Sequence, residues 1–96
     1  MDAGTIGTHA IIREKLIEFI VMNFLFGDSE HLPADDVSLL QSGVIDSTGI
    51  LELIEFLELT FGIQVADNET TPENLDGIEN LVRYVSRKRV PDHEDP

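Results

Sequence analysis

Asp46-Ser47 is the residue pair in this chain best placed to do chemistry. It stands in the run Gly43-Val44-Ile45-Asp46-Ser47-Thr48-Gly49-Ile50-Leu51, which reads as a loop ending on a capping residue and launching a helix. An aspartate at the cap accepts hydrogen bonds from the first free backbone N–H groups. Ser47 then falls at the first helical position, exposed at the positive end of the helix dipole. A hydroxyl there can carry a phosphate, whose charge the helix terminus tolerates. An ordinary helix-start serine with a structural role is the plain alternative. A hydrolase nucleophile is excluded, because there is no Gly-x-Ser-x-Gly elbow. His9, His31 and His93 are scattered over end and loop positions and read as exposed bystanders.

The helix that presents Ser47 is expected to run to Phe61, with Gly62 closing it. Ile50, Leu53, Ile54, Leu57 and Phe61 recur at helical spacing and form its apolar face. Glu52, Glu55 and Glu58 lie on the other side, flanked by Leu51, Phe56 and Leu59, which can rest against a loop or meet a partner. Gly49 in the first turn is unfavourable by up to ~1 kcal/mol, which implies a local reason for it.

The run Gly43-Val44-Ile45-Asp46-Ser47 resembles the Asp-Ser-Leu attachment motif of acyl carrier proteins. The resemblance extends over roughly Thr8 to Lys88, in helix order and spacing as well as motif. Asp-Ser alone is weak evidence; with this helix, length and charge it is strong. The resemblance implies that Ser47 takes a 4′-phosphopantetheine arm from coenzyme A, and that the arm's thiol holds an acyl or aminoacyl group as a thioester. It implies that Asp46 contributes to recognition by the phosphopantetheinyl transferase. A loading ligase and downstream acyl-transfer enzymes would be further partners. Glu52, Glu55, Glu58, Leu51 and Thr48 would face those partners. Thr48 stands where many carriers have leucine. Together with Gly49, it makes the pattern more similar to specialised stand-alone carriers, D-alanyl and other aminoacyl carriers included, than to the general fatty-acid carrier.

Charge and composition agree with this reading. The formal net charge over 96 residues is −13, and no Lys or Arg lies between Leu16 and Val82. A nucleic-acid partner is excluded, since a phosphate backbone requires a basic surface. Many of the acids serve solubility, and some can form a face that docks on basic patches of enzymes. The chain has no cysteine, hence no disulfide framework or catalytic thiol of its own, which suits a reducing cytoplasm.

Taken in order, Met1 to Gly7 reads as a frayed start. Thr8 to Phe26 reads as an amphipathic helix capped by Thr8 and ended by Gly27. Ile12, Leu16, Phe19 and Ile20, with Asn23 between them, outline its core face. The apolar run Ile17 to Phe26 is interrupted by Glu18 and Asn23 and is too short to span a bilayer, so membrane insertion is not expected. Gly27 to Ile45 is a long loop anchored by Leu32, Val37, Leu39 and Leu40. Gly62 to Val65 is expected as an extended loop rather than a strand, having nothing to pair with. Thr71-Pro72-Glu73-Asn74 starts a single helical turn, with Thr71 as cap. A last helix is expected from about Gly77 to Arg89, with Asp76 as cap, burying Ile78, Leu81, Val82 and Val85. Pro91 to Pro96 reads as a polar tail. Asp35-Asp36 and Asp67-Asn68-Glu69 lack the spacing of a calcium loop and read as solvated turns.

The expectation is an all-α, acyl-carrier-like bundle of three main helices plus one short helix, with residues 1–96 forming a single carrier domain around a helical core of about 8–89. Its function would be that of a cytoplasmic, monomeric carrier and not an enzyme. The alternative is an acidic helical interaction module that is never modified. The two are separated by the intact mass after treatment with coenzyme A and a phosphopantetheinyl transferase.

Overall fold

The computed structural model describes residues 8–89 as four α-helices joined by loops and short 3-10 turns. The helices are α1 (Thr8–Phe24), α2 (Ser47–Phe61), α3 (Pro72–Leu75) and α4 (Ile78–Arg89). No strand occurs among the described residues, so the all-α expectation of three main helices and one short one holds. The frayed start and the polar tail lie outside the described residues. α1 packs most extensively on α4, which also carries α3.

One apolar cluster binds the elements together. It takes Ile12, Leu16 and Ile20 from α1, Leu53 and Leu57 from α2, and Ile78, Leu81, Val82 and Val85 from α4. These are the spacings of helical faces turned to a common centre. Two details of the α1 face differ from the sequence reading. Asn23 is exposed, its amide donating to the Phe19 carbonyl one turn back, and Val21 is buried instead.

α1 stops two residues before the expected Phe26. The amides of Leu25 and Gly27 both donate to the Val21 carbonyl, 3.2 and 2.9 Å away. This closing pattern needs a left-handed residue between them, a place usually filled by glycine. Here Phe26 fills it, with φ 55°. A left-handed residue with a side chain costs about 1–2 kcal/mol. The ring recovers nothing by packing, since Phe26 is 93% exposed.

The long first loop is held by buried apolar anchors and by polar ties together. Leu39 and Ile45 are fully buried and Leu32 is half-buried, but Val37 and Leu40 are exposed, contrary to expectation. In their place Arg13 grips the Asp35 carboxylate with two hydrogen bonds of 2.8 Å. The guanidinium holds that carboxyl below its ordinary range, chiefly by hydrogen bonding. Ser38 Oγ and the Leu40 amide donate to the two oxygens of Asp76. Asp76 is therefore not the cap of α4. It ends α3, and its carboxylate is spent on the loop. The Asp35 carbonyl serves the start of α4 instead, accepting from the Glu79 amide at 3.0 Å. Thr71 precedes α3 as expected, with Pro72 in the first turn, but makes no side-chain cap bond.

At the opposite end, Glu69 belongs to no solvated turn. Its carboxylate accepts from the Ala66 amide, Tyr84 OH and Lys88 Nζ. Those three contacts, the backbone one foremost, lower its pKa from 4.5 to about 2. Tyr84 is fully buried and was not expected in the core; burial, then its bond to Glu69, pushes its hydroxyl pKa up. Tyr84 follows Leu81 by three residues, so helical spacing puts it on the buried face of α4. Its burial rests on a hydrogen-bond partner that is distant in sequence.

Candidate functional site

Asp46 and Ser47 sit where the sequence puts them. Asp46 has extended backbone, and its Oδ1 accepts from the Gly49 amide at 2.8 Å, three residues on. That bond satisfies one of the orphan donors of α2. Ser47 is the first residue of the helix, and both it and Thr48 are exposed. The amides of Ser47 and Thr48 have, by position, no acceptor within the helix. Ile50 is the first to donate back along the helix, to the Asp46 carbonyl. The head of α2 thus offers a hydroxyl, two backbone donors and the positive end of the dipole at one place.

Gly49 is explained by its surroundings. A Cβ there would lie 2.9 Å from Phe24 Cε1, 3.0 Å from Ile45 Cγ2 and 3.3 Å from Asp46 Oδ1. The end of α1 presses on the first turn of α2, and only glycine admits that approach. Sequence flagged Gly49 as costly, but Phe24 as the cause comes only from the fold.

Down the helix, Leu53 and Leu57 are fully buried, while Ile50, Ile54 and Phe61 are half-buried. Glu52 and Glu55 are exposed, and no cation pairs with either among the described residues. Glu58 differs from them. It is half-buried and accepts from the Val65 amide at 2.9 Å, tying down the loop after α2. Leu51 and Leu59 stand in solvent at 67% and 77% exposure. Phe56 does not stand with them. It stacks on Phe19 of α1 at 4.1 Å between ring centroids and meets Phe61 edge-on.

His31 is exposed and paired with Asp28, His9 is exposed, and His93 lies outside the described residues. Among the described residues, no three His, Cys, Asp or Glu side chains are grouped to hold a metal. No helix there is long and apolar enough to cross a membrane.

A small helical bundle that shows one capped serine at the head of an acid-faced helix has the form of a carrier domain, which presents a group and leaves the chemistry to others. Comparison with known proteins bears on that class. No family model matches the chain. It is 35% identical to the D-alanyl carrier protein of Streptococcus pyogenes serotype M1 over 74 residues, 77% of this chain and 90% of that one. Over 55 residues it is 36% identical to the D-alanyl carrier protein of Abiotrophia defectiva, covering 57% of this chain and 68% of the relative. Over 80 residues it is 27% identical to "Probable acyl carrier protein PigG" of a Serratia species, covering 83% and 91%. The chain belongs to the acyl carrier protein family, and its role is to carry an acyl or aminoacyl group.

Proposed function

We propose that the protein holds its acyl or aminoacyl group as a thioester on a 4′-phosphopantetheine arm joined to Ser47 Oγ through a phosphodiester. The observation that carries this is the exposed Ser47 at the first position of α2, behind an aspartate that caps the helix through Gly49. The residues present suit the group. The free amides of Ser47 and Thr48 and the helix dipole favour a phosphate anion at that hydroxyl. The arm, once bound, supplies the thiol on which the thioester is made. The chain supplies the attachment oxygen, the rigid helix behind it and the surface that partners read. Asp46 holds the first turn in shape, and in this reading it also meets the transferase that installs the arm.

The protein is not itself a catalyst in this account. Its partners are a phosphopantetheinyl transferase, a ligase that loads the arm, and enzymes that take the group onward. Glu52 and Glu55, open to solvent beside Leu51 and Thr48, are the surface they meet; Glu58 adds charge at its edge. A net charge of −13 keeps copies apart, which fits a monomer, and the lack of cysteine fits the cytoplasm.

Intact mass spectrometry after incubation with coenzyme A and a broad-specificity transferase tests the assignment. One phosphopantetheine is expected on the wild type and none on Ser47→Ala, which should stay folded because an exposed first-turn serine contributes little to stability. An unmodified wild type would return the protein to the class of acidic interaction modules. Modification of Ser47→Ala would move the site.

A further inference from the structure

Phe26 presents a question that the fold does not answer. It holds a left-handed backbone, φ 55°, where glycine is the usual choice, and its ring is almost wholly in solvent. Residues held in sparsely populated backbone regions cluster at active sites, ligand clamps and switch regions. The ring also stands at a particular place. With Phe24, Leu25 and Val44 it lines a surface groove of about 430 Å³, whose polar side is the Asp28–His31 pair. The volume lies in the range of small-molecule sites, and the lining is mixed: Phe24, Leu25, Phe26 and Val44 give it an apolar wall, and Ser42 stands with Asp28 and His31 on the polar one.

The groove adjoins Ser47. Val44 precedes Ser47 by three residues, so their Cα atoms are at most ~10 Å apart. Phe24, which lines the groove, also touches the position of Gly49, so the groove wall and the first turn of α2 share a side chain. A group tethered to Ser47 Oγ is held near this groove at a high effective concentration, which a free ligand lacks. A weak site therefore suffices. The charge adds a preference. Asp28 lines the groove, paired with His31, and Asp46 stands beside the tether, with no Lys or Arg among the lining residues. An anionic cargo such as a dicarboxylic acyl group is disfavoured, and a small neutral or ammonium-bearing acyl group is accepted.

Resting on the carrier reading above, we propose that the groove walled by Phe24, Phe26 and Val44 is the resting site of the distal end of the arm tethered at Ser47, with its small neutral or aminoacyl thioester shielded behind the Phe26 ring. Phe26 keeps its left-handed backbone to stand the ring at that wall. In this account the group lies on the surface between the end of α1 and the head of α2 and is not buried in the core.

The test uses the full chain, first converted to the phosphopantetheine form and checked by mass. Failure of that conversion would defeat the carrier reading and this inference with it, before the groove is examined. On the converted protein, two-dimensional amide NMR compares the unmodified, thiol and acetyl-loaded forms. Shifts are expected at Leu25, Phe26, Gly43 and Val44 as well as at Ser47 and Thr48, and the groove shifts should vanish in Phe26→Gly. That variant relieves the strained backbone, so it is expected to fold at least as well as the wild type. The acetyl thioester should be cleaved by hydroxylamine roughly two- to five-fold faster in Phe26→Gly, as expected for loss of one aromatic contact, and at wild-type rate in Phe26→Tyr. Shifts confined to Ser47 and the first turn of α2, with equal cleavage rates, would overturn the proposal. So would unchanged groove signals with a slower transferase reaction in Phe26→Gly, because the ring would then serve an enzyme.

Discussion

The two charged regions of this molecule use the same residue types for opposite ends. Around α3 and α4, charges find partners: Lys88 with Glu69 at 2.9 Å, Arg83 with Glu79 at 2.9 Å, and Arg87 with the Asn74 side chain at 3.1 Å. Along the outer face of α2, Glu52 and Glu55 have no cation beside them among the described residues. No Lys or Arg lies between Leu16 and Val82; among the described residues the cations of α4 reach Glu69 and Glu79 and Arg13 of α1 reaches Asp35, but none reaches the outer face of α2. The first region uses charge to brace its own helix and loop. The other leaves charge open, at a cost that solvation keeps small, so that it is available at encounter with another molecule.

Both regions hang on the same core, so the largest effect is expected there. Leu57→Ala should lower stability by ~2–5 kcal/mol, because a fully buried leucine leaves a cavity between α2 and its neighbours. In a domain of this size that is a large share of the total. Thermal unfolding that barely shifts would put α2 in the wrong rotational phase and undo the contrast between its two faces.

The contact that joins α1 to the head of α2 comes next. In Gly49→Ala the new methyl meets Phe24 and Ile45 at 2.9–3.0 Å. Overpacking of this kind costs ~1–3 kcal/mol, against a helix-propensity gain of up to ~1 kcal/mol. A lower melting temperature is expected, partly restored by Phe24→Leu in the same chain. An unchanged or higher melting temperature would mean that the seam has room and that Gly49 is there for some other reason.

A third test addresses the paired region alone. Glu69 has a folded pKa of about 2 against an ordinary 4.5. Between these values the unfolded chain binds the proton first, so stability falls as pH falls through the window and is complete above it. Glu69→Gln should therefore be less stable than the wild type at pH 7, and the gap in urea midpoint should close between about pH 4.5 and pH 2. A gap that stays constant over that window would assign the loss to hydrogen-bond geometry and remove the charge from the account.

How far the sequence shows all this depends on whether a feature is local. The cap at Asp46, the start of α2 at Ser47, its stop at Gly62 and the buried set Leu53, Leu57, Ile78, Leu81 and Val85 follow from neighbours and helical period, and they stand. What escaped was set by partners distant in the chain. Asp76 has the look of a helix cap, but it is taken by Ser38 and Leu40, more than thirty residues earlier. Phe56 lies toward the acidic side on a helical wheel, yet it is claimed by Phe19. Glu58 belongs to the acidic stripe by spacing and to the following loop by its bond to Val65. The exposed ring at Phe26 turns on a one-residue choice of where a left-handed turn falls, which the following glycine disguises.

The smallest effect on stability, and the most telling for function, belongs to the open face. Glu52→Lys and Glu55→Lys change residues that touch no cation and stand in solvent, so circular dichroism and melting should match the wild type within ~0.5 kcal/mol. The rate at which a transferase installs the arm should nonetheless fall, roughly two- to ten-fold at low salt, because a basic patch on the enzyme loses its guide. Exposed charges steer more than they clamp, and at physiological ionic strength their reach is about 8 Å. Raising salt should therefore slow the wild type more than either variant, until the three converge. Glu58→Lys provides the control within the same stripe: it breaks the tie to Val65 and should lower stability as well as rate. If Glu52→Lys and Glu55→Lys react at wild-type rates at low salt, the open acids are only a solvated face. Docking would then rest on the exposed Leu51 and Leu59, and Leu51→Ala should slow the reaction with little salt dependence.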